Sequence, residues 1–373
     1  MSTHNHSAWA EIDLSALVHN YRAICPASPR RNVIAVIKAD AYGHGAIEVA
    51  KALIKEGVTM FAVATIAEGI ELRSAGIRQP ILLMGAFLKP DVDDILTHNL
   101  TASVSSYAFA HDLDRAAAKL HAKAPVHIKV DTGMGRLGLP DTMTVPTIEK
   151  ISVLSHLVLE GIYTHFATAD EEDKTYTLKQ LAEFNRTITT LENSGIAFKY
   201  HHSAASAACM DVPESHFDTV RPGLALYGLK PSATCGKKHN LKPVMEFAAR
   251  LVHMEHRPAG TSIGYGRTHK LDKDTLVAVV SAGYADGYDR KLSGRGTVTI
   301  RGRQVSVLGR ISMDMISLDV SAIPDVALGD KAVLYSSDPA ASNSVESISR
   351  MLDTIPYCLV CNVSKRVARV YKH

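Results

Sequence analysis

A lysine at the end of an apolar run is the first residue whose position suggests chemistry. Lys38 directly follows Val-Ile-Ala-Val-Ile at residues 33–37, a run that is typical of a buried strand. Burial favours the neutral amine over the ammonium ion, and the neutral amine is the nucleophilic form. A lysine at a strand end can also extend into solvent, so its position alone leaves both interpretations open.

Two loops later in the chain have features of a phosphate-binding site. Ser206 precedes two alanines and could begin a short helix, whose N-terminal N–H groups attract anions. Gly223 has no side chain to keep an anion from the backbone. Each feature alone is also typical of an ordinary helix start or turn. Together with Lys38 they favour a phosphorylated cofactor that carries an aldehyde, and pyridoxal phosphate is such a cofactor.

The elements that would position these residues alternate between strand and helix, which predicts an α/β fold with parallel strands. Eight apolar runs begin about 27 residues apart on average, so we predict an N-terminal (β/α)8 TIM barrel with its chemistry at the carboxyl ends of the strands. An open, doubly wound sheet is the alternative, because it too is built from alternating strands and helices. The runs cover residues 33–38, 60–64, 81–84, 101–104, 126–131, 159–165, 198–202 and 219–221, and the predicted helices include 48–56, 107–119 and 175–194.

The pattern changes after the eighth run. A polar stretch at 230–241 marks a domain boundary, and we assign the barrel to residues 1–237 and a mostly β domain to residues 238–373. Strand-like runs dominate the second domain, and glycine-rich turns separate many of them. The predicted strands are 244–253, 275–280, 296–307, 315–320, 332–335 and 363–370, with one helix at 345–352.

The composition excludes several classes of protein. Of the 373 residues, 46% are hydrophobic and 21% are charged, which is too apolar for a disordered chain. The net charge of +3 provides no broad basic field for nucleic acid. No run approaches the ~20 apolar residues of a membrane span. Residues 1–6 lack the pattern of a signal peptide, so we expect a cytoplasmic protein.

The cysteine content favours a reducing compartment, because five cysteines is an odd number in a long chain. Cys358 and Cys361 form a C-x-x-C motif. A tetrahedral zinc site would need two further ligands, and the sequence contains no second motif of this kind. We therefore predict ordinary buried thiols here, and no metal site elsewhere.

Seven segments, spread over both predicted domains, resemble signature segments of the alanine racemases. One of them contains Lys38, and another contains both Arg221 and Gly223. A single short match would be weak, but seven in family order are highly specific, so the chain is identified as a member of this family. The segments are VIKADAYGHG (36–45), KVDTGMGRLG (129–138), THFATAD (164–170), VRPGLALYGL (220–229), YGRT (265–268), GYADGY (283–288) and GRISMD (309–314).

The resemblance implies a pyridoxal-phosphate-dependent racemase that interconverts L-alanine and D-alanine, supplying or consuming D-alanine for cell-wall peptidoglycan. It also implies a homodimer with active sites shared between subunits. Two acid/base groups would act on opposite faces of the cofactor-bound substrate: Lys38, which also binds the cofactor covalently, and Tyr265 of the partner subunit. A tyrosine has a pKa near ~10 and needs cationic neighbours to act as a base. Arg136 would be that neighbour and would contact substrate and cofactor.

The resemblance also implies how the cofactor is bound. Arg221 would face the pyridine nitrogen, and because a guanidinium can only donate, that nitrogen would stay unprotonated. His165 would lie at the cofactor and orient Arg221. The implied phosphate ligands are Tyr42, Ser206, Gly223, Leu224 and Tyr357.

The remaining implied roles concern the substrate. The main-chain N–H of Met313, from the partner subunit, would meet the substrate carboxylate. Lys129 matches a lysine that is carbamylated in some relatives. Four residues would line the channel by which substrate reaches the site: Asp170, Tyr284, Arg310 and Asp314.

Three positions depart from the family pattern and leave alternatives open. Ala205 stands where asparagine is usual, Ser312 where cysteine is usual, and Cys358 where glutamate is usual. The first two lie near the cofactor or substrate, so a racemase of serine or lysine is an alternative. Relatives of broader specificity often carry a signal peptide. Residues 1–6 lack that pattern, which favours alanine as the substrate here. A basic amino-acid decarboxylase shares the barrel, but its reaction would benefit from a protonated ring nitrogen. Arg221 would leave that nitrogen unprotonated, which disfavours this alternative. A non-catalytic carrier of pyridoxal phosphate would resemble the barrel alone.

Overall fold

The computed structural model describes residues 7–25 and 32–373. Residues 1–6, on which the expected absence of a signal peptide rests, lie outside the described residues. The first part of the chain forms β1 (Ala8–Asp13), α1 (Leu14–Ile24), β2 (Asn32–Val36), α2 (Lys38–Gly43), α3 (Ala46–Lys55), β3 (Met60–Val63), α4 (Ile66–Ser74), β4 (Ile81–Leu83), α5 (Val92–Thr97), β5 (Thr101–Val104), α6 (Tyr107–Lys119), β6 (Ala124–Asp131), β7 (Leu139–Pro140), α7 (Asp141–Ser152), β8 (Leu157–Tyr163), α8 (Thr175–Asn193), β9 (Tyr200–His202), α9 (Ser206–Asp211) and β10 (Thr219–Val220). The second part forms β11 (Met245–Arg257), β12 (Ser262–Ile263), β13 (His269–Lys270), β14 (Thr275–Val280), β15 (Thr297–Ile300), β16 (Arg303–Leu308), β17 (Ile316–Asp319), β18 (Lys331–Tyr335), α10 (Val345–Met351), α11 (Pro356–Asn362) and β19 (Ala368–Lys372).

Eight parallel strands form the barrel, in the order β10-β2-β3-β4-β5-β6-β8-β9. Each of the eight predicted runs overlaps one of these strands. A single parallel bridge between Ala205 and Arg221 joins the two ends of the ring. Strands β3, β4 and β5 are buried along their whole length, as expected for parallel strands covered by helices. The predicted (β/α)8 barrel is confirmed.

The second part is built on an eight-stranded sheet, in the order β14-β17-β16-β15-β18-β11-β1-β19, in which most neighbours are antiparallel. The run predicted as one strand at 296–307 is a hairpin of β15 and β16. Arg301 and Gly302 turn the chain there with φ of 49° and 74°, the positive values that tight hairpins require. The predicted helix at 345–352 is present as α10, whereas the sequence does not predict α11.

Strand β1 links the two parts of the chain. It pairs antiparallel with β11 and parallel with β19, so the predicted barrel boundaries include a strand that the structure places in the second sheet. An apolar run directly before a helix has the same pattern in either domain, which is why the sequence does not distinguish them. Within this sheet Glu11 accepts hydrogen bonds from the ammonium groups of Lys331 (2.6 Å) and Lys372.

Candidate active site

A cavity of about 280 Å³ opens at the carboxyl ends of the barrel strands, the end at which barrel enzymes carry out their chemistry. The wall contributed by the second part of the chain includes Tyr357 of α11. Many of the residues singled out from the sequence line this cavity: Lys38, Tyr42, His165, Asp170, Ser206, Arg221, Gly223, Leu224 and Tyr357.

A groove of about 800 Å³ between α1 and α3 is larger, but its chemistry is less suited to a site. Four of its charged side chains already pair with one another, Arg22 with Glu56 and Lys51 with Glu48, each at 2.7 Å. Convergent polar groups without partners, rather than volume, indicate a binding site. We therefore assign the site to the barrel cavity.

Lys38 begins a left-handed helical turn directly after β2. Ala39, Asp40, Ala41 and Tyr42 all have φ between 52° and 54°, a conformation that costs roughly 1–2 kcal/mol per non-glycine residue. Strain of this kind persists only where surrounding contacts offset it, and it concentrates at functional sites. The turn reverses the chain at the strand end, and both its first residue and Tyr42 line the cavity.

Two side chains stabilise this turn. The Ala39 N–H donates to Oε1 of Glu68 across 2.6 Å. His44 is buried, and its Nδ1 lies 3.0 and 2.9 Å from the carbonyl oxygens of Ala41 and Tyr42. Burial lowers the pKa of His44 to about 4, so the neutral ring donates through Nδ1–H to both carbonyls.

The environment of Lys38 favours its neutral form. Burial lowers the pKa of its ammonium group, and the guanidinium of Arg136 lowers the pKa further, against the opposing effects of Glu68 and Cys361. A neutral amine can form a covalent bond to a carbonyl carbon and can accept a proton. Arg136 is not among the residues that line the cavity, but its charge acts on Lys38.

The corner predicted to bind phosphate gathers several donors. Ser206 is the first residue of α9, as predicted, and its hydroxyl accepts from the N–H groups of Gly223 (2.9 Å) and Ala225 (3.2 Å). A methyl group at Gly223 would lie 2.6 Å from the hydroxyl of Tyr42, which explains the glycine. Burial raises the pKa of Tyr42, and raises that of Tyr357 to about 12. Both phenols are therefore protonated donors, as a phosphate requires.

Arg221 is fully enclosed, with one N–H unused. Its Nη1 donates to Nδ1 and the carbonyl oxygen of His202 (2.9 and 2.7 Å), and its Nη2 donates to the carbonyls of Thr164 (2.8 Å) and Ser203 (3.2 Å). Its Nε is buried and has no partner among the described residues. Burial lowers the pKa of this guanidinium to about 10, so it stays charged at neutral pH. An unused donor on the cavity wall fits an unprotonated ring nitrogen, and the residues present therefore fit pyridoxal phosphate.

The structure corrects the residue that orients Arg221. The sequence predicts His165 for this role, but the hydrogen bond involves His202. His165 instead lines the cavity, and its Nδ1 has no partner in the part of the chain that the structure describes. Nε2 of His202 lies 2.8 Å from Nδ1 of His127. Because Arg221 can only donate, Nδ1 of His202 accepts, and its Nε2 carries the proton that is donated to His127. Burial, followed by the charge of Arg221, lowers the pKa of His165 to about 3 and that of His202 well below its usual value.

Lys129 lies on β6 beside the same charged groups. Burial, followed by the charges of Arg221, Arg136 and Lys38, lowers its pKa to about 8. Its Nζ lies 5.5 Å from the ring centre of Tyr163. The lowered pKa increases the fraction of neutral amine at neutral pH, and the neutral amine is the form that reacts with carbon dioxide. Carbamylation of Lys129 stays a prediction.

The other predicted site residues lie on the second sheet domain, away from the cavity of the same chain. Tyr265, Tyr284 and Met313 are 69%, 41% and 52% exposed. They share a surface with Asp314, which pairs with Arg366 at 2.6 Å. We call this surface the tyrosine patch, and its members are Tyr265, Tyr284, Arg310, Met313 and Asp314; none of them lines the cavity among the described residues.

The fold and site define a class of enzyme: a barrel with a desolvated lysine, a cluster of phosphate donors and a buried arginine facing one cavity, followed by a β domain. A model of the "Alanine racemase, N-terminal domain" matches residues 12–231, and one of the "Alanine racemase, C-terminal domain" matches residues 244–371. The chain therefore belongs to the alanine racemase family, which makes it an isomerase that acts on amino acids.

Individual relatives agree. The alanine racemase of Clostridium tetani is 43% identical over 100% of this chain and 97% of that protein, and the alanine racemase of Methanococcus maripaludis is 43% identical over 99% and 100%. The solved alanine racemase of Clostridium difficile 630 superposes with a TM-score of 0.95 at 38% identity, over 99% of this chain and 96% of that one. That of Bartonella henselae, with covalently bound pyridoxal phosphate, gives 0.87 at 30% identity, over 98% and 100%.

The family and the fold predicted from the sequence are thus confirmed, while the individual residue roles stay predictions. The contacts of His44, Glu68 and His202 are not predicted from the sequence. For Glu68 the sequence does contain an indication of a local contact, because Thr65 lies three residues before it, which is the spacing of a capping box, and the two residues form one in the structure. In the part of the chain that the structure describes, no helix is long and apolar enough to cross a membrane, and no group of three His, Cys, Asp or Glu side chains could hold a metal ion.

Proposed function

We propose that this chain interconverts L-alanine and D-alanine with bound pyridoxal phosphate, using Lys38 and Tyr265 of the partner subunit as the two acid/base groups. The observation that carries the proposal is Arg221, which lines the same cavity as Lys38 and whose Nε–H has no partner among the described residues. The alanine racemase of Bacillus anthracis, with bound L-Ala-P, matches at 31% identity over the whole chain and supports a small amino-acid substrate.

Different residues of the cavity would bind different parts of the cofactor. The hydroxyls of Tyr42, Ser206 and Tyr357 and the N–H of Leu224 would hold the phosphate, and Gly223, which lacks a side chain, would let it approach the backbone. When bound, pyridoxal phosphate supplies an electron sink that acidifies the α-hydrogen of an amino acid. Lys38 would hold the cofactor covalently before substrate arrives. Once released, its neutral amine would remove the α-proton on one face, and the ammonium group so formed would return a proton on that face.

Arg221 tunes the reaction through a single hydrogen bond. Since a guanidinium has no proton-accepting lone pair and stays charged, it would donate to the ring nitrogen and leave that nitrogen unprotonated. This keeps the electron sink moderate, which suits a reaction that only moves a proton from one face to the other. A decarboxylase would benefit from the stronger sink, and for that reason we favour racemisation.

The second face must be supplied by another copy of the chain. Tyr265 and Met313 are exposed on the tyrosine patch and do not line the cavity of their own chain, so we propose a homodimer in which the patch of one subunit caps the cavity of the other. Exposed apolar surface of this kind marks protein interfaces. Arg136 would lie near Tyr265 of the partner subunit and stabilise its phenolate form.

We further propose that the channel to the site is lined by Asp170 with Tyr284, Arg310 and Asp314 of the tyrosine patch. Asp170 lines the cavity, which supports its place in this set. The reaction would supply or consume D-alanine for peptidoglycan in the cytoplasm, in keeping with the odd number of cysteines.

The proposal is tested by an alanine racemase assay on the purified protein reconstituted with pyridoxal phosphate. Alanine should have the highest kcat/KM, and serine and lysine are the competing substrates, because Ala205 lines the cavity where a larger side chain is usual. Lys38→Ala should lose covalently bound cofactor and activity, whereas Lys51→Ala, an exposed lysine on α3, should lose neither. Cofactor binding without turnover of any amino acid would instead indicate a carrier.

A further inference from the structure

Two cysteines stand one helical turn apart beside the site, and the proposed reaction uses neither. Cys358 and Cys361 lie on α11, and both are exposed. The sequence predicts buried thiols at these positions, and that prediction is wrong. Residues three apart on a helix have their Cβ atoms about 5–6 Å apart, so the two thiols are neighbours. Among the described residues no third side chain completes a metal site with them.

Helix α11 contacts the two parts of the cavity that would hold the cofactor. Tyr357, the residue before Cys358, has its ring 5.9 Å from that of Tyr42. On the side of Cys361, a methyl group at Gly43 would lie 2.2 Å from the carbonyl oxygen of Val360. The backbone of α11 therefore touches the left-handed turn that begins at Lys38. A distortion of this one short helix would reach both a phosphate donor and the lysine turn.

We propose that Cys358 and Cys361 form an oxidation site, at which a peroxide closes a disulfide and thereby weakens the binding of the cofactor phosphate. This inference rests on the proposed function, because it assigns Tyr357 to the phosphate. A disulfide holds its Cβ atoms about 3.5–4.5 Å apart, closer than a regular helix allows. Closing it therefore tightens α11 and moves Tyr357. Strained disulfides are also the readily reduced ones, so the modification is reversible.

The chemistry balances with the peroxide as oxidant. The sulfur of Cys358 attacks one peroxide oxygen, the O–O bond breaks, and a sulfenic acid and one water form. The sulfur of Cys361 then attacks the sulfenic sulfur, the S–O bond breaks, and a second water leaves. Two thiols lose two electrons and two protons in total. Cys361 is exposed as a residue, but its thiol is partly desolvated, and this, with the neighbouring Cys358, raises the pKa of Cys361 to about 11. Cys361 is therefore the poorer first nucleophile.

The test treats the purified, cofactor-loaded protein with hydrogen peroxide and examines it by peptide mass spectrometry, and then measures the dissociation constant for pyridoxal phosphate by equilibrium dialysis. We expect a peptide with a disulfide between Cys358 and Cys361, and roughly ten- to a hundredfold weaker cofactor binding, the effect of a lost hydrogen bond to a charged group. Dithiothreitol should restore tight binding. Cys358→Ser and Cys361→Ser, which each keep one thiol, should resist the loss of affinity.

Separate results would contradict the oxidation site, its effect on cofactor binding, and the proposed function on which it rests. A peptide map without this disulfide overturns the oxidation site. A disulfide that leaves the dissociation constant unchanged, or a loss of affinity that persists in both serine variants, overturns the link to the cofactor. If the reduced protein itself binds no pyridoxal phosphate, the proposed function fails on that measurement, whereas the peptide map still reports on the cysteine pair.

Discussion

Arg221 and His202 share a buried hydrogen bond in which Nη1 donates to Nδ1 across 2.9 Å. Because this bond, with three backbone carbonyls, uses both Nη atoms, Nε is the guanidinium nitrogen that has no partner among the described residues, and Arg221 lines the cavity. The orientation of the arginine is thus set by the ring behind it. His127 in turn accepts from Nε2 of His202, so two neutral histidines support one cation.

Replacing His202 with leucine should lower kcat/KM about tenfold or more and weaken cofactor binding. The reason is the loss of a hydrogen bond to a charged group, which is worth roughly 1.5–3 kcal/mol. His202→Asn keeps an acceptor on a short side chain and should recover part of both quantities. Steady-state kinetics and dialysis against pyridoxal phosphate measure the effects. Equal losses in the two variants would indicate that His202 acts through packing rather than through its acceptor.

Ala39→Gly is expected to raise the free energy of unfolding by up to about 1 kcal/mol. Glycine relieves a left-handed residue of roughly 1–2 kcal/mol of strain, and the greater entropy of the unfolded chain offsets part of this gain. Chemical denaturation measures the difference. The matched control is Ala52→Gly in the right-handed helix α3, which should lose about 1 kcal/mol. Destabilisation of both variants would show that the turn at Ala39 is not strained in solution.

Glu11 should make the stability depend on acid pH. Burial acts to raise its pKa, but hydrogen bonds from Lys331 and Lys372 outweigh burial and lower the pKa from 4.5 to about 2. A lowered folded-state pKa contributes stability that is fully present above pH 4.5 and is lost as the pH falls through 2. Glu11→Gln should therefore be less stable than the original chain at pH 7, by about 1–3 kcal/mol. The difference in the free energy of unfolding between the two proteins should shrink as the pH is lowered. A difference that is constant between pH 7 and pH 2 would show that the lowered pKa of Glu11 is not its cause.

The fold could be predicted from the sequence because its signals are local. The runs at 33–38 and 60–64 are apolar and regularly spaced, and the residues that line the cavity stand at strand ends, where parallel strands place them side by side. The orientation of Arg221 could not be predicted, since His165 lies just beyond the end of β8 and His202 ends β9, and only the side-chain directions decide between them. The same holds for β1, whose partners are more than 200 residues away in the chain.

Mixing two inactive variants should test whether sites are shared. Lys38→Ala lacks a group that lines the cavity, and Tyr265→Phe lacks one on the tyrosine patch. If each cavity is capped by the partner, a hybrid dimer has one site with both groups intact, and random exchange should restore roughly a quarter of the original activity. Racemisation is measured after dissociation and reassociation. No recovery, despite subunit exchange shown by mass-tagged chains, would place both groups in one chain.

Tyr265→Phe by itself should separate the two proton transfers. The variant keeps the aromatic ring and leaves Lys38 and the phosphate donors unchanged, so cofactor binding should be preserved. Loss of a positioned acid/base group typically costs ~10²–10⁴-fold in rate. By family resemblance Lys38 serves the face of the D-enantiomer, so in deuterated water the variant should exchange the α-proton of D-alanine faster than it interconverts the enantiomers. Proton NMR follows the exchange, and chiral chromatography follows the racemisation. Equal loss of exchange from both enantiomers would indicate that the tyrosine positions the substrate, and undiminished racemisation would show that another group is the second base.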